Sequence, residues 1–124
     1  GSRHIIRAME KAGIRCFVSL STLGVGDTWE MLPLKYKIFF STLLRKAFAD
    51  HVAQEDLIKQ SQLDWIIVRP GAYTDGERTG EYRHGFPVSD KTINAEISRA
   101  DVADFMLKQL ADDTYIHKAP GLSY

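Results

Sequence analysis

The run DWIIVRPG, Asp64 to Gly71, constrains the fold of this chain more than any other stretch. Trp65-Ile66-Ile67-Val68 is continuously apolar rather than alternating, so both faces of the strand it forms must be covered. That is the condition of a strand inside a parallel sheet flanked by helices. Pro70 brings no amide to a ladder and Gly71 accepts backbone angles that other residues avoid, so the chain must turn there. A second run of the same kind, CFVSLS from Cys16, opens into the polar stretch STLGVGDT and reads as a buried strand ending near Ser21, with Cys16 as a core side chain.

The segments between and around these strands are helical or irregular. Ile5, Ile6, Met9 and Ala12 recur at helical spacing and Gly13 follows where a helix takes a left-handed cap. From Lys35 to about Gln60, Phe40, Leu44, Ala47, His51 and Ile58 trace one stripe of a long helix. Trp29 to Leu34, interrupted by Pro33, is left open. Glycine, proline and charge dominate Asp75 to Ser89, which predicts a loop with a short strand near Gly80 to Arg83; another short strand is expected within Lys91 to Ile97. Ser98, three residues before Asp101, is an N-cap for a helix whose apolar face is Val102, Phe105, Met106, Leu107 and Leu110. The tail Thr114 to Tyr124 has no period, and its PGLSY ending reads as an extended segment laid on the surface. Strands alternating with helices give an α/β fold with parallel strands in one domain, 1–124. In such sheets ligands bind outside the carboxyl ends of the strands, so the turns STLGVGD and RPG border one crevice.

Charge and cysteine content narrow the function classes. Sixteen basic and sixteen acidic side chains cancel, which leaves no net field to draw the chain to nucleic acid or to an anionic membrane. No apolar run approaches the roughly 18 residues of a membrane span. A lone cysteine fits a reducing, cytoplasmic compartment. His4, His84 and His117 are scattered without ligand spacing, so no metal site is expected.

CFVSLSTLGVGD, the helix reaching ADHVAQEDLIKQSQLDWIIVRPGAYTDG, then TGEY and ISRADVADFMLKQL resemble, in order and spacing, the C-terminal half of the atypical short-chain dehydrogenase/reductases. The likeness is strongest to their NAD(P)H-binding, NmrA-like branch that includes the biliverdin reductase B/flavin reductase type. The resemblance implies a partial, doubly wound Rossmann-like sheet that lacks the N-terminal Gly-rich strand-helix units: no strand here is followed by a glycine-rich turn opening a helix. It places Thr22, after Ser21, at the family's catalytic serine. It places His51 at the family's lysine, as in biliverdin reductase B-like members, while the YxxxK pair is absent because Phe40 stands four residues after Tyr36. The resemblance assigns Ser21, Pro70, Gly71, Ala72 and Tyr73 to the cofactor, the last four falling where backbone groups meet the nicotinamide of NADP or NAD, NADPH being favoured by subgroup. The implied reaction is reduction of a small flavin-like or quinone-like acceptor. The alternatives are a dinucleotide-sensing regulator without turnover, and an inert self-associating fragment.

The same residues carry plainer readings. Thr22 can cap a turn and His51 can be a helix-side histidine. Trp29, Tyr36, Phe39 and Phe40 wall either a flat aromatic pocket or the core. Asp50 and Glu55 read as solvated acids. Arg69 reaches either an anionic ligand or an internal salt bridge. With its neighbour in the usual strand order missing, the CFVSL strand has an unpaired edge that invites another copy of the chain, which predicts a homo-oligomer.

Overall fold

A computed structural model of the protein describes residues 2–23, 34–35, 45–86 and 92–124. Helix α1 spans Ser2–Ala12. Gly13, at φ 76°, ends it as expected, its amide and that of Ile14 bonding back to Glu10 and Met9. Strand β1 is Cys16–Leu20, helix α2 is Arg45–Lys59 and strand β2 is Asp64–Pro70. Short strands β3 (Ala72–Thr74), β4 (Arg83–His84) and β5 (Glu96–Ser98) lead to helix α3 (Arg99–Gln109) and strand β6 (Gly121–Ser123). The part of the expected long helix over residues 36–44 lies outside the described residues.

The main sheet has the order β1-β2-β6-β4. β2 runs parallel to β1, from Cys16 opposite Asp64 to Leu20 opposite Val68, and parallel to β6; β4 is antiparallel to β6. β3 and β5 form a separate parallel pair. The architecture is the α/β, mostly parallel sheet that the alternation of segments predicts.

Strand β2 is apolar without alternation because each face meets a different helix layer. Trp65 and Ile67 pack with Ile6 of α1, Ile58 of α2 and Leu63. Ile66 and Val68 pack with Ile97, Val102 and Phe105 of α3, and Leu122 of β6. Each aliphatic side chain so buried contributes about 2 kcal/mol. The same alternation aims Arg69 at α2, which decides how it is paired.

Three expectations are corrected. The tail is not laid on the surface: Gly121, Leu122 and Ser123 are buried, and their strand sits between β2 and β4. A three-residue strand with one large apolar side chain carries too little periodicity to be read from sequence. Cys16 is exposed, because it is the first residue of a strand at the sheet's edge. Gly71 is required for space rather than for unusual angles. It is absent from the positive-φ glycines, and a Cβ there would run into the backbone of Ala95 and Glu96.

Candidate functional site

The carboxyl ends of β1 and β2 are stitched together past the last ladder pair. The Ser21 amide donates to the Val68 carbonyl at 2.7 Å and the Leu23 amide to the Pro70 carbonyl at 2.8 Å. Thr22 stands between these two anchored neighbours, half-buried, and among the described residues its hydroxyl makes only a long 3.4 Å contact with the Leu23 carbonyl. Below it, the buried Ser21 hydroxyl donates to Glu55 Oε2 at 2.6 Å. Arg69 grips the same carboxylate with two bonds, Nε to Oε2 at 3.1 Å and Nη2 to Oε1 at 2.6 Å. Lys59 Nζ lies 3.7 Å from Oε1.

Glu55 and Arg69 are each 2 % exposed. The internal-salt-bridge reading of Arg69 holds, whereas the reading of Glu55 as a solvated acid does not. A guanidinium in a strand covered on both faces needs a buried carboxylate, and the covering helix had to supply it. That requirement was the available signal. Asp50, the other acid set aside with it, is exposed.

α2 returns antiparallel to the strands it covers, so moving toward its N-terminus moves toward the strands' carboxyl ends. His51 lies one turn before Glu55, roughly 6 Å along the axis. Its ring is half-buried, and Nδ1 is buried without a hydrogen-bond partner. Hydrogen bonds thus tie Ser21 to Val68 and Leu23 to Pro70, leaving Thr22 between them, and His51 is set on the same helical face as the carboxylate that holds Ser21.

Gly71 and Ala72 continue from Pro70, but their amides are committed internally, to the carbonyls of Leu122 at 3.0 Å and Ala95 at 2.7 Å. Tyr73 has left the main sheet for β3. It is 42 % exposed, under the guanidinium of Arg99 at 5.3 Å from the ring centroid, and Arg99 also pairs with Asp75. Burial raises the Tyr73 phenol above its usual value, with Arg99 pulling the other way. Trp29, Tyr36, Phe39 and Phe40 lie outside the described residues.

A second polar cluster fixes the loop that leaves β3. Ser98 caps α3 as expected, accepting from the Asp101 amide. The Asp101 carboxylate then accepts from the amides of Thr79 and Gly80, the Thr79 hydroxyl and the Tyr124 hydroxyl. Burial alone would raise this carboxyl, but those four bonds outweigh it and hold it at about 2. Asp104 accepts from the Tyr82 hydroxyl and from Lys108 and Arg78, which keep it well below the carboxylate range. These acids are fully partnered and structural. Among the described residues, no group of three His, Cys, Asp or Glu side chains is placed to hold a metal ion, and no helix is long and apolar enough to cross a membrane.

Residues 1–113 match the NAD(P)H-binding family. The chain is 29 % identical over 111 residues to UPF0659 protein YMR090W of Saccharomyces cerevisiae, covering 89 % of this chain and 46 % of that protein. It spans about half the length of the curated relatives it matches. Among solved structures, it superposes on ChuY from Escherichia coli CFT073 with a TM-score of 0.80 and 30 % identity, over 98 % of this chain and 63 % of that one. ChuY of E. coli O157:H7, described as an anaerobillin reductase, gives 0.76 and 29 % identity over 98 % of this chain and 56 % of that one. Matched by the family over most of its length and by these folds over nearly all of it, the chain belongs to the NAD(P)H-binding family.

Proposed function

We propose that this chain is the nicotinamide and acceptor side of an NAD(P)H-dependent oxidoreductase of the short-chain dehydrogenase/reductase type. The observation that carries the reading is the pair of under-used polar groups at the strand ends. Among the described residues, the Thr22 hydroxyl makes only its long contact with Leu23, and His51 Nδ1 has no partner. In a chain of this family, outside the carboxyl ends of parallel strands, such groups fit a nicotinamide and its acceptor. The likeness to ChuY, described as a reductase, supports the same class.

When bound, the cofactor supplies the hydride. The chain's residues do the rest: the Thr22 hydroxyl donates to an acceptor carbonyl or ring nitrogen, and His51 offers an imidazole that donates or accepts near neutral pH. With the Gly71 and Ala72 amides committed internally, the stretch Pro70 to Tyr73 meets the nicotinamide through its carbonyls and its surface. A flat conjugated acceptor, flavin-like or quinone-like, suits a site without a tyrosine acid, since its proton can come from solvent. NADPH is the favoured cofactor by subgroup, with NADH the alternative.

A second reading is supported by the absent YxxxK pair, Phe40 standing four residues after Tyr36: the chain senses dinucleotide without turning it over. Calorimetric titration with NADPH and NADH, followed by cofactor oxidation against a panel of quinones and flavins, tests both. Binding with acceptor-dependent oxidation supports the enzyme; binding without oxidation by any acceptor supports the sensor. If neither cofactor binds, this chain alone does not form the site.

A further inference from the structure

The buried Glu55–Arg69 pair is connected more richly than stability requires. Replacing such a pair by apolar side chains of similar volume is often neutral or stabilising, so burial of two charges calls for another reason. Glu55 Oε2 is shared: it accepts from Arg69 Nε and, at 2.6 Å, from the Ser21 hydroxyl. That is the short range of a hydroxyl-to-carboxylate bond. Ser21 is therefore fixed twice, by its amide to Val68 and by its side chain to α2, and it is the residue before Thr22. Arg69, at the other end of the pair, immediately precedes Pro70, whose carbonyl holds Leu23 on the far side of Thr22. The helix face that delivers the carboxylate also carries His51.

We propose that Glu55 is a positioning residue: with Arg69 it locks the ends of β1 and β2 to α2, and so sets where the Thr22 hydroxyl and the His51 ring stand relative to each other. This rests on reading the strand ends as the cofactor and acceptor site, and the experiment separates the two.

The variants are Glu55→Met/Arg69→Met, which removes both charges while keeping volume, Ser21→Ala, and Thr22→Val. Amide hydrogen exchange, thermal unfolding and NADPH titration are measured on each. The double variant is expected to unfold near the wild-type temperature and to keep the protection of Ile67 and His117, whose amides bond to Lys118 and Trp65 across the core. Exchange at Ser21 and Leu23 is expected to accelerate by about tenfold, the worth of one hydrogen bond. Ser21→Ala should give the same local acceleration and add nothing in the double-variant background. NADPH affinity should fall by a similar factor in the double variant.

Unchanged exchange at Ser21 and Leu23 in both the double variant and Ser21→Ala overturns the proposal. If the double variant does not fold, Ser21→Ala decides it alone, its silence again being fatal. Local loosening with NADPH affinity untouched in the double variant and in Thr22→Val, or a wild-type chain that does not bind NADPH, sinks the cofactor reading instead. The locking of the strand ends then stands by itself.

Discussion

Thr22 and His51 are set apart from the polar residues around them by contacts they do not make. Ser21, Glu55 and Arg69 bond one another at 2.6 to 3.1 Å. Among the described residues, the Thr22 hydroxyl finds only a 3.4 Å contact, beyond the normal range for a hydroxyl, and the buried Nδ1 of His51 is unpartnered. Leaving such an atom unpaired costs about 1 kcal/mol or more. His51→Leu is therefore expected to raise unfolding stability by about 1 kcal/mol in a denaturant titration while weakening NADPH binding. A loss of stability would show that the imidazole is a satisfied packing group. Thr22→Val should lower acceptor reduction about tenfold, with Thr22→Ser retaining it, because the hydroxyl and not the methyl makes the contact. Sequence pointed to both residues through a family pattern. It did not point to Glu55, since an acid on a helix looks solvated until the face it occupies is known, and only the odd register of Arg69 in β2 fixes that face.

Within elements, local chemistry was legible wherever it was self-contained. The Gly13 cap, the Ser98 cap and the two-faced strand β2 each follow from a few adjacent residues. Strand β6 does not, because its place is set by Pro70 and Arg69 far upstream. The close crossing at Gly71 is likewise invisible in sequence, as it depends on Ala95 arriving in the bend just before β5. Gly71→Ala is expected to cost about 1 to 3 kcal/mol through overpacking against backbone that cannot retreat. Ala95 itself adopts φ 57°, so Ala95→Gly should cost nothing and add up to about 1 kcal/mol. Equilibrium unfolding of the two variants reads both signs. Asp101 makes the loop at Thr79 and Gly80 pH-sensitive. Its carboxyl is held at about 2 against an ordinary 3.8, so its contribution is complete above that ordinary value and is lost as pH falls through about 2. Exchange of the Thr79 and Gly80 amides should accelerate over that window, and Asp101→Asn should abolish the dependence.

For the molecule as a whole, β1 closes one side of the main sheet and has one described neighbour, β2. Leu20 is 38 % exposed and Ile14 55 %, at either end of that edge. An apolar strand with one neighbour among the described residues is expected to pair with a second copy of the chain. Light scattering at micromolar concentration should give a dimer or larger species, and a clean monomer would remove self-association from the account.

The position of β6 has a consequence for how the molecule is made. It is the latest strand in the chain, yet it occupies an interior place, between β2 and β4. During synthesis β2 waits without its second described neighbour, and β4 without its one described partner, until the ribosome has delivered α3 and the turn beyond it. Everything up to Gln109 can be present and the main sheet still be two separate pieces. Delivery of Gly121 to Ser123 is therefore the step that makes the sheet continuous, and a nascent chain stalled shortly before Gly121 would be a far better substrate for chaperones and proteases than one in which β6 has already paired.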